Sequence, residues 1–298
     1  MDMLSITGLC KRFGDKEVLC GLDLSVPEHS IFGFIGKNGS GKTTTMKTVL
    51  GLLAADAGEI RVNGEAVVYG QTATNRHIGY LPDVPEFYSF MTAREYLRFC
   101  GEISGVDTQK TKQRADELLA LVGLGHETHR IKGFSRGMKQ RLGVAQALLN
   151  RPKLLICDEP TSALDPVGRR ELLDILRAVK EETTVLFSTH ILSDVERICT
   201  DVAFLDHGSA KMAGKLSQIK TQYRREEYCV EAEREEDIRL LQAAFPKMHA
   251  EASGLRFLER DHAPDEVLRF LADHRISIVR LERVEPTLES LFMEVAEK

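Results

Sequence analysis

The sequence predicts an α/β fold with a mostly parallel sheet, followed by a smaller α+β domain. Three observations predict it. The runs "SIFGFIG", "KLLICDE", "TTVLFST" and "DVAFLDH" are short and continuously apolar, as strands buried on both faces are. Helical patterns, among them "GVAQALLN", "GRRELLDILRAVK" and "SDVERIC", lie between them. Charge density then rises. Residues 215–298 carry 14 Lys/Arg and 18 Asp/Glu in 84 positions, against 26 and 27 in the preceding 214.

The elements follow in chain order. "MLSITGL", "EVLCGLDLSV" and "EIRVNGEAVV" alternate like half-buried antiparallel strands and form an appendage to the parallel core. A helical insert occupies about residues 91–150. "DVAFLDHGSAKMAG" reads as a strand and a glycine-marked hairpin, closing a first domain at residues 1–214. "SQIKTQYRREE" is a helix or linker, so a linker is placed at 215–225. Within 226–298, "EEYCVEAE" is a strand, "REEDIRLLQAAF" a helix, and "KMHAEASGLRFLER" two strands turning at Gly254. "PDEVLRFLADH" is a helix, "SIVRLERV" a strand and "TLESLFMEVAEK" a closing helix. That order, β-α-β-β-α-β plus a helix, is the ferredoxin-like plan.

Composition narrows the classes. An apolar content of 43% builds a real core, and a net charge of −5 argues against a nucleic-acid partner. No stretch approaches the roughly 20 consecutive apolar residues that span a bilayer. The N-terminal "MDMLSITGLCKRFGDKE" has no apolar leader segment. Six scattered cysteines without a C-x-x-C pair read as reduced thiols of a cytosolic protein, neither a disulfide framework nor a zinc site.

Chemistry enters at "GFIGKNGSGKTTTMK". Residues Gly36 to Thr43 match G-x-x-x-x-G-K-[ST] directly after an apolar strand. Glycines there let backbone N–H groups converge on phosphate oxygens, helped by the N-terminus of the next helix. Lys42 is placed to reach the β- and γ-phosphates and Thr43 to ligate Mg²⁺. Asn38, Gly39, Ser40, Gly41 and Thr44 complete the loop that holds a nucleoside triphosphate. "LLICDEP" then ends an apolar strand in Asp158, placed to hold Mg²⁺ through water, and Glu159, placed to polarise an attacking water.

In "FSRGMKQRLGVAQALL", Ser135 and Gly137 open an amphipathic helix, and serine alone is explained as an N-cap. The run beside it carries more. Here the chain resembles the ATP-binding-cassette (ABC) family of P-loop ATPases, whose signature aligns with Phe134 to Met138. Arg136 and Met138 depart from the common form, and the variant resembles the export-type branch. The resemblance covers residues 3 to about 214. It implies a D-loop at Asp165 and a switch histidine at His190 that contacts the γ-phosphate. It also implies an adenine-stacking ring at Phe13, with Val18 beside the sugar. The ending "VEPTLESLFMEVAEK" is similar to tails of drug-, sodium- and bacteriocin-type export ATPases.

The mechanism this resemblance implies is a head-to-tail dimer, of two copies or with a second cassette. Ser135 and Gly137 of one cassette cover the γ-phosphate bound by the other. Separate membrane permease subunits then receive the work, with the chain peripheral on the inner face of the cell membrane. A soluble ABC ATPase of ribosome or DNA is the alternative; the first type joins two cassettes in one chain and the second inserts a long coiled coil. A P-loop kinase or GTPase leaves the signature and His190 unexplained. In "IGYLPDVPEFYSFMTAREYLRF" the resemblance places Asp83 near Mg²⁺ and the attacking water, where most members have glutamine. Phe87, Tyr88, Phe90 and Met91 form either a socket for the membrane subunit or the insert's own core.

Overall fold

The computed structural model describes residues 2–71, 73–223, 226–251 and 254–296. The chain divides into two compact units, the first running to Leu216 and the second spanning Ser217–Glu294.

The first unit begins with long antiparallel strands β1 (Asp2–Phe13) and β2 (Lys16–Pro27), then β3 (Ile31–Ile35) and helix α1 (Lys42–Val49). Next come β4 (Ala57–Val62), β5 (Glu65–Ala66) and β6 (Ile78–Leu81). The insert supplies α2 (Ala93–Ile103), α3 (Thr108–Leu121) and α4 (Arg136–Ala147). The core resumes with β7 (Leu154–Asp158), α5 (Pro166–Ala178), β8 (Thr184–Thr189), α6 (Leu192–Ile198), β9 (Asp201–Asp206) and β10 (Ser209–Lys215).

Two sheets result. A six-stranded sheet has the order β10-β9-β3-β8-β7-β6, and a four-stranded sheet has the order β2-β1-β4-β5. Neighbours from β9 to β6 run parallel, and only β10 pairs antiparallel, with β9. Every residue of β3, β7 and β8 is buried, which explains their continuous apolar runs. Leu4, Leu9, Leu22, Phe32, Phe34 and Ile156 belong to one core joining the two sheets.

Differences from the sequence reading are local. Val67 and Val68, read as the end of a strand, are not part of one, because β5 stops at Ala66 after the turn at Asn63 and Gly64. The loop that follows is tied down instead, by Val67 N–H to the Ile60 carbonyl and Gly70 N–H to the Gly51 carbonyl. The insert is less helical than its pattern. Between α3 and α4 only a 3-10 turn at Ile131–Gly133 forms. Helix α2 starts at a capping box, in which Thr92 Oγ1 accepts from Glu95 N–H and Glu95 Oε2 accepts from Thr92 N–H.

Residues 216–222 form helix α7 (Leu216–Gln222); positions 224 and 225 of the expected linker lie outside the described residues. The second unit continues with β11 (Glu227–Ala232), α8 (Glu235–Ala244), β12 (His249–Glu251) and β13 (Gly254–Leu258). It ends with α9 (Pro264–Asp273), β14 (Ile278–Arg283) and α10 (Leu288–Ala296). A turn is expected at Gly254, but Gly254 itself opens β13, and residues 252 and 253 between the two strands lie outside those described. Its sheet order is β12-β13-β11-β14, antiparallel throughout. That is the split-βαβ arrangement. Val230, Leu241, Phe245, Leu255, Phe257 and Val267 form a core of its own.

Candidate nucleotide site

Parallel α/β sheets gather ligands outside the carboxyl ends of their strands. Here β3, β8, β7 and β6 are consecutive neighbours. The glycine loop leaves β3, His190 follows β8, Asp158 and Glu159 end β7, and Asp83 lies just beyond β6. Sequence positions more than a hundred residues apart therefore meet at one sheet edge. A cleft of about 430 Å³ is lined by Lys16, Val18, Asn38, Gly39, Gly41, Lys42, Thr43, Thr44, Asp83, Asp158 and Glu159.

The loop's geometry follows from its glycines. Gly41 adopts φ +110°, a left-handed conformation that side chains disfavour, immediately before α1. At Gly36 a Cβ would stand 2.5 Å from Ser40 Oγ and 2.6 Å from the Leu205 carbonyl oxygen, so only glycine fits. Ser40 Oγ is buried without a hydrogen-bond partner among the described residues. Lys42 is buried as well, and its ammonium donates to the carbonyls of Gly36 (2.6 Å) and Lys37 (3.3 Å).

The same ammonium lies 3.2 Å from Glu159 Oε1, and the other carboxylate oxygen of Glu159 lies 2.9 Å from His190 Nδ1. Glu159 itself has φ +47°, unusual for a residue with a side chain. Its N–H is shared by Ser188 Oγ (3.0 Å) and the Ser188 carbonyl (3.2 Å), while that hydroxyl donates to Asp158 Oδ1 at 2.6 Å. Asp83 Oδ1 accepts from Ser162 Oγ at 3.0 Å, and its backbone carbonyl accepts from Gln140 Nε2 at 2.5 Å. Burial, then the charge of Asp158, push the Tyr80 hydroxyl up to about 12. Burial likewise raises the Asp194 carboxyl, which accepts from Thr161 Oγ1 at 2.7 Å.

Other expected site residues lie elsewhere. Phe13 is not among the lining residues; it pairs across the hairpin with Lys16, half-exposed, with the Lys11 ammonium 5.5 Å from its ring centre. Ser135, Arg136, Gly137 and Asp165 line a second depression of about 280 Å³ that shares no residue with the first. Ser135 and Asp165 also cap helices, accepting from the N–H groups of Met138 and Gly168. Sequence reasoning missed Lys16, Ser162, Ser188 and Gln140. Gln140 lies inside the signature run and Ser188 two positions before His190, but neither position announces its contact by itself.

A glycine loop over a helix N-terminus, facing two acids and a histidine across parallel strands, defines a nucleoside-triphosphate-binding ATPase cassette. Comparison with known proteins agrees. The family described as "ABC transporter" matches residues 19–162, and "ATP-binding protein DrrA1-3-like, C-terminal domain" matches residues 214–296. An uncharacterized ABC transporter ATP-binding protein of Bacillus subtilis (strain 168), YxlF, is 46% identical over 221 residues, 74% of this chain and 73% of that one. The bacitracin transport ATP-binding protein BcrA of Bacillus licheniformis is 41% identical over 209 residues, 69% of this chain and 67% of that one. A solved ATP-binding subunit of an ABC transporter superposes with TM-score 0.66 at 32% identity, over 74% of this chain and 93% of that one. The chain belongs to the ABC transporter ATP-binding proteins. It is an ATP-hydrolysing, nucleotide-binding subunit that powers transport, which sets aside the ribosome and DNA readings.

Proposed function

We propose that this chain drives export through separate membrane subunits, by closing on ATP as a head-to-tail dimer and reopening on hydrolysis. The observation that carries the reading is the Glu159 carboxylate, held by the Lys42 ammonium on one oxygen and the His190 ring on the other. Lys42, Gly36, Asn38 to Gly41 and Thr44 hold the triphosphate, whose oxygens give the buried Ser40 hydroxyl a partner. Phe13 offers a half-exposed ring to the adenine, and Val18 lies toward the sugar. Thr43, Asp158 and Asp83 are hard oxygen donors lining one cleft, the donor set that suits Mg²⁺. When bound, the metal neutralises charge on the phosphate oxygens.

The resting geometry sets the order of events. Lys42 cannot serve Glu159 and a γ-phosphate equally, so triphosphate binding draws the ammonium away. Glu159 then keeps His190 and gains a free oxygen to accept the proton of an attacking water. Ser135 and Gly137 belong to a depression apart from their own cleft, which suits a role on the partner's γ-phosphate, with Asp165 beside them. Two copies related by a two-fold axis satisfy both sites. The test is the dimer itself: a chain arrested by Glu159→Gln should hold two copies together in ATP and release them in ADP.

No helix among the described residues is long and apolar enough to cross a membrane. The family match supports assigning the permease to other chains, on whose cytoplasmic face this subunit docks. Phe87 packs edge-on against Tyr96 inside the insert, whereas Val84, Tyr88 and Phe90 are exposed. The insert-core reading thus suits Phe87 and the docking reading suits Phe90, while Tyr88, exposed yet edge-on against Phe99 of α2, takes part in both. The bacitracin transport named for one relative supports the export reading.

Asp83 is assigned the coupling role. Pro82 and Pro85 restrain the loop, and the Ser162 hydroxyl holds its carboxylate. Asp83→Ala should abolish stimulation of ATPase activity by the membrane partner while ATP affinity stays nearly intact; Asp83→Glu should retain most of it. Equal stimulation in wild type and the alanine variant would remove Asp83 from coupling. The C-terminal unit, with its own core and none of the ATP motifs, is assigned to self-association. A chain ending at Gln222 should still bind ATP but dimerise less readily in sedimentation velocity; unchanged dimerisation would leave that unit a passive cap.

A further inference from the structure

Ser188 lies at the end of β8 with no exposed surface, directly opposite Asp158 in the parallel register with β7. Its hydroxyl has one proton and spends it on Asp158 Oδ1 at 2.6 Å. Its lone pair receives the N–H of Glu159 at 3.0 Å. One oxygen atom therefore touches both members of the acid pair, through the side chain of one and the backbone of the other. Glu159 is also the residue whose backbone stands at φ +47°. Left-handed backbone at a residue with a side chain persists only where surrounding contacts over-determine it. A second clasp, Thr161 Oγ1 to Asp194 Oδ2 at 2.7 Å, holds the chain two residues further on.

We propose that Ser188 is a positioning residue for ATP hydrolysis, orienting Asp158 toward the metal and Glu159 toward the attacking water through a single hydroxyl. The proposal rests on the roles assigned above to Asp158 and Glu159. Ser188 does not line the cleft and acts only through the Asp158 carboxylate and the Glu159 backbone N–H. Without the hydroxyl, Asp158 loses a charge-assisted hydrogen bond in a buried site, and the Glu159 N–H keeps only the longer bond to the Ser188 carbonyl. The left-handed turn then relaxes, and the Glu159 carboxylate drifts from its place between Lys42 and His190.

The test compares Ser188→Ala and Ser188→Thr in the full chain. A lost hydrogen bond to a buried charge predicts that alanine lowers kcat roughly ten- to a hundredfold, with KM for ATP little changed. Threonine keeps the hydroxyl and should restore most of the turnover. A second readout avoids turnover altogether. Mn²⁺ titrated by electron paramagnetic resonance in the presence of a non-hydrolysable ATP analogue should bind several-fold more weakly to the alanine variant. Thermal unfolding separates positioning from collapse. Equal losses in both variants, or unchanged Mn²⁺ affinity with unchanged kcat in the alanine variant, would overturn the inference. If Ser188→Ala is fully active while Glu159→Gln is inactive, only the role of Ser188 fails. If Glu159→Gln is itself active, the reading beneath it fails.

Discussion

Glu159→Gln should lower ATP turnover by about 10²- to 10⁴-fold, the usual span for loss of a general base. The side chain keeps its volume, and its amide oxygen can still accept from His190 or Lys42. What it loses is the capacity to take a proton from water. ATP affinity should hold or rise, because removing the Glu159 charge frees Lys42 from a partner 3.2 Å away and leaves it for the phosphates. Phosphate release in single turnover measures the chemistry, and equilibrium dialysis with labelled ATP measures the binding. Robust hydrolysis by the variant would remove Glu159 from the base role.

Gly36→Ala should weaken nucleotide binding itself. The added methyl meets the Leu205 carbonyl oxygen at 2.6 Å, and that oxygen belongs to the backbone of β9, which cannot rotate away. The loop must shift, and with it the Gly36 carbonyl that accepts from Lys42 at 2.6 Å. Overpacking of this kind costs about 1–3 kcal/mol. Because the strain falls on the loop that holds the phosphates, ATP affinity should fall at least about tenfold, equivalent to about 1.4 kcal/mol. Titration with a fluorescent ATP analogue, beside a thermal melt, checks both effects. Wild-type affinity would mean that the loop has slack that its packing does not suggest.

The sequence was most legible where one short segment carries both element and chemistry. The glycine loop announces itself by spacing, and the buried strands by unbroken apolar runs such as "LLICD". Legibility failed where function depends on partners distant in sequence. Ser188 is an ordinary serine until β8 lies beside β7 and sets it opposite Asp158. Lys16 becomes a cleft residue only because β1 and β2 pair in a hairpin that reaches the loop's edge. Asp83 looked like a shortened side chain reaching toward a cation. The Ser162 hydroxyl that holds it sits 79 residues away, beyond any local pattern. The over-reading of Val67 and Val68 as strand has the opposite cause. Apolar Val67 and Val68 signal a strand locally, but Gly51 and Gln71 pin that stretch as a loop.

The central claim is that ATP is shared between two chains, held by the glycine loop of one and the Ser135–Gly137 segment of the other. Size-exclusion chromatography with light scattering on Glu159→Gln tests it most directly. The account predicts a monomer without nucleotide, a dimer in ATP and Mg²⁺, and a monomer again when Ser135→Arg is added to the same chain. A monomer at saturating ATP, or a dimer indifferent to Ser135, would contradict it.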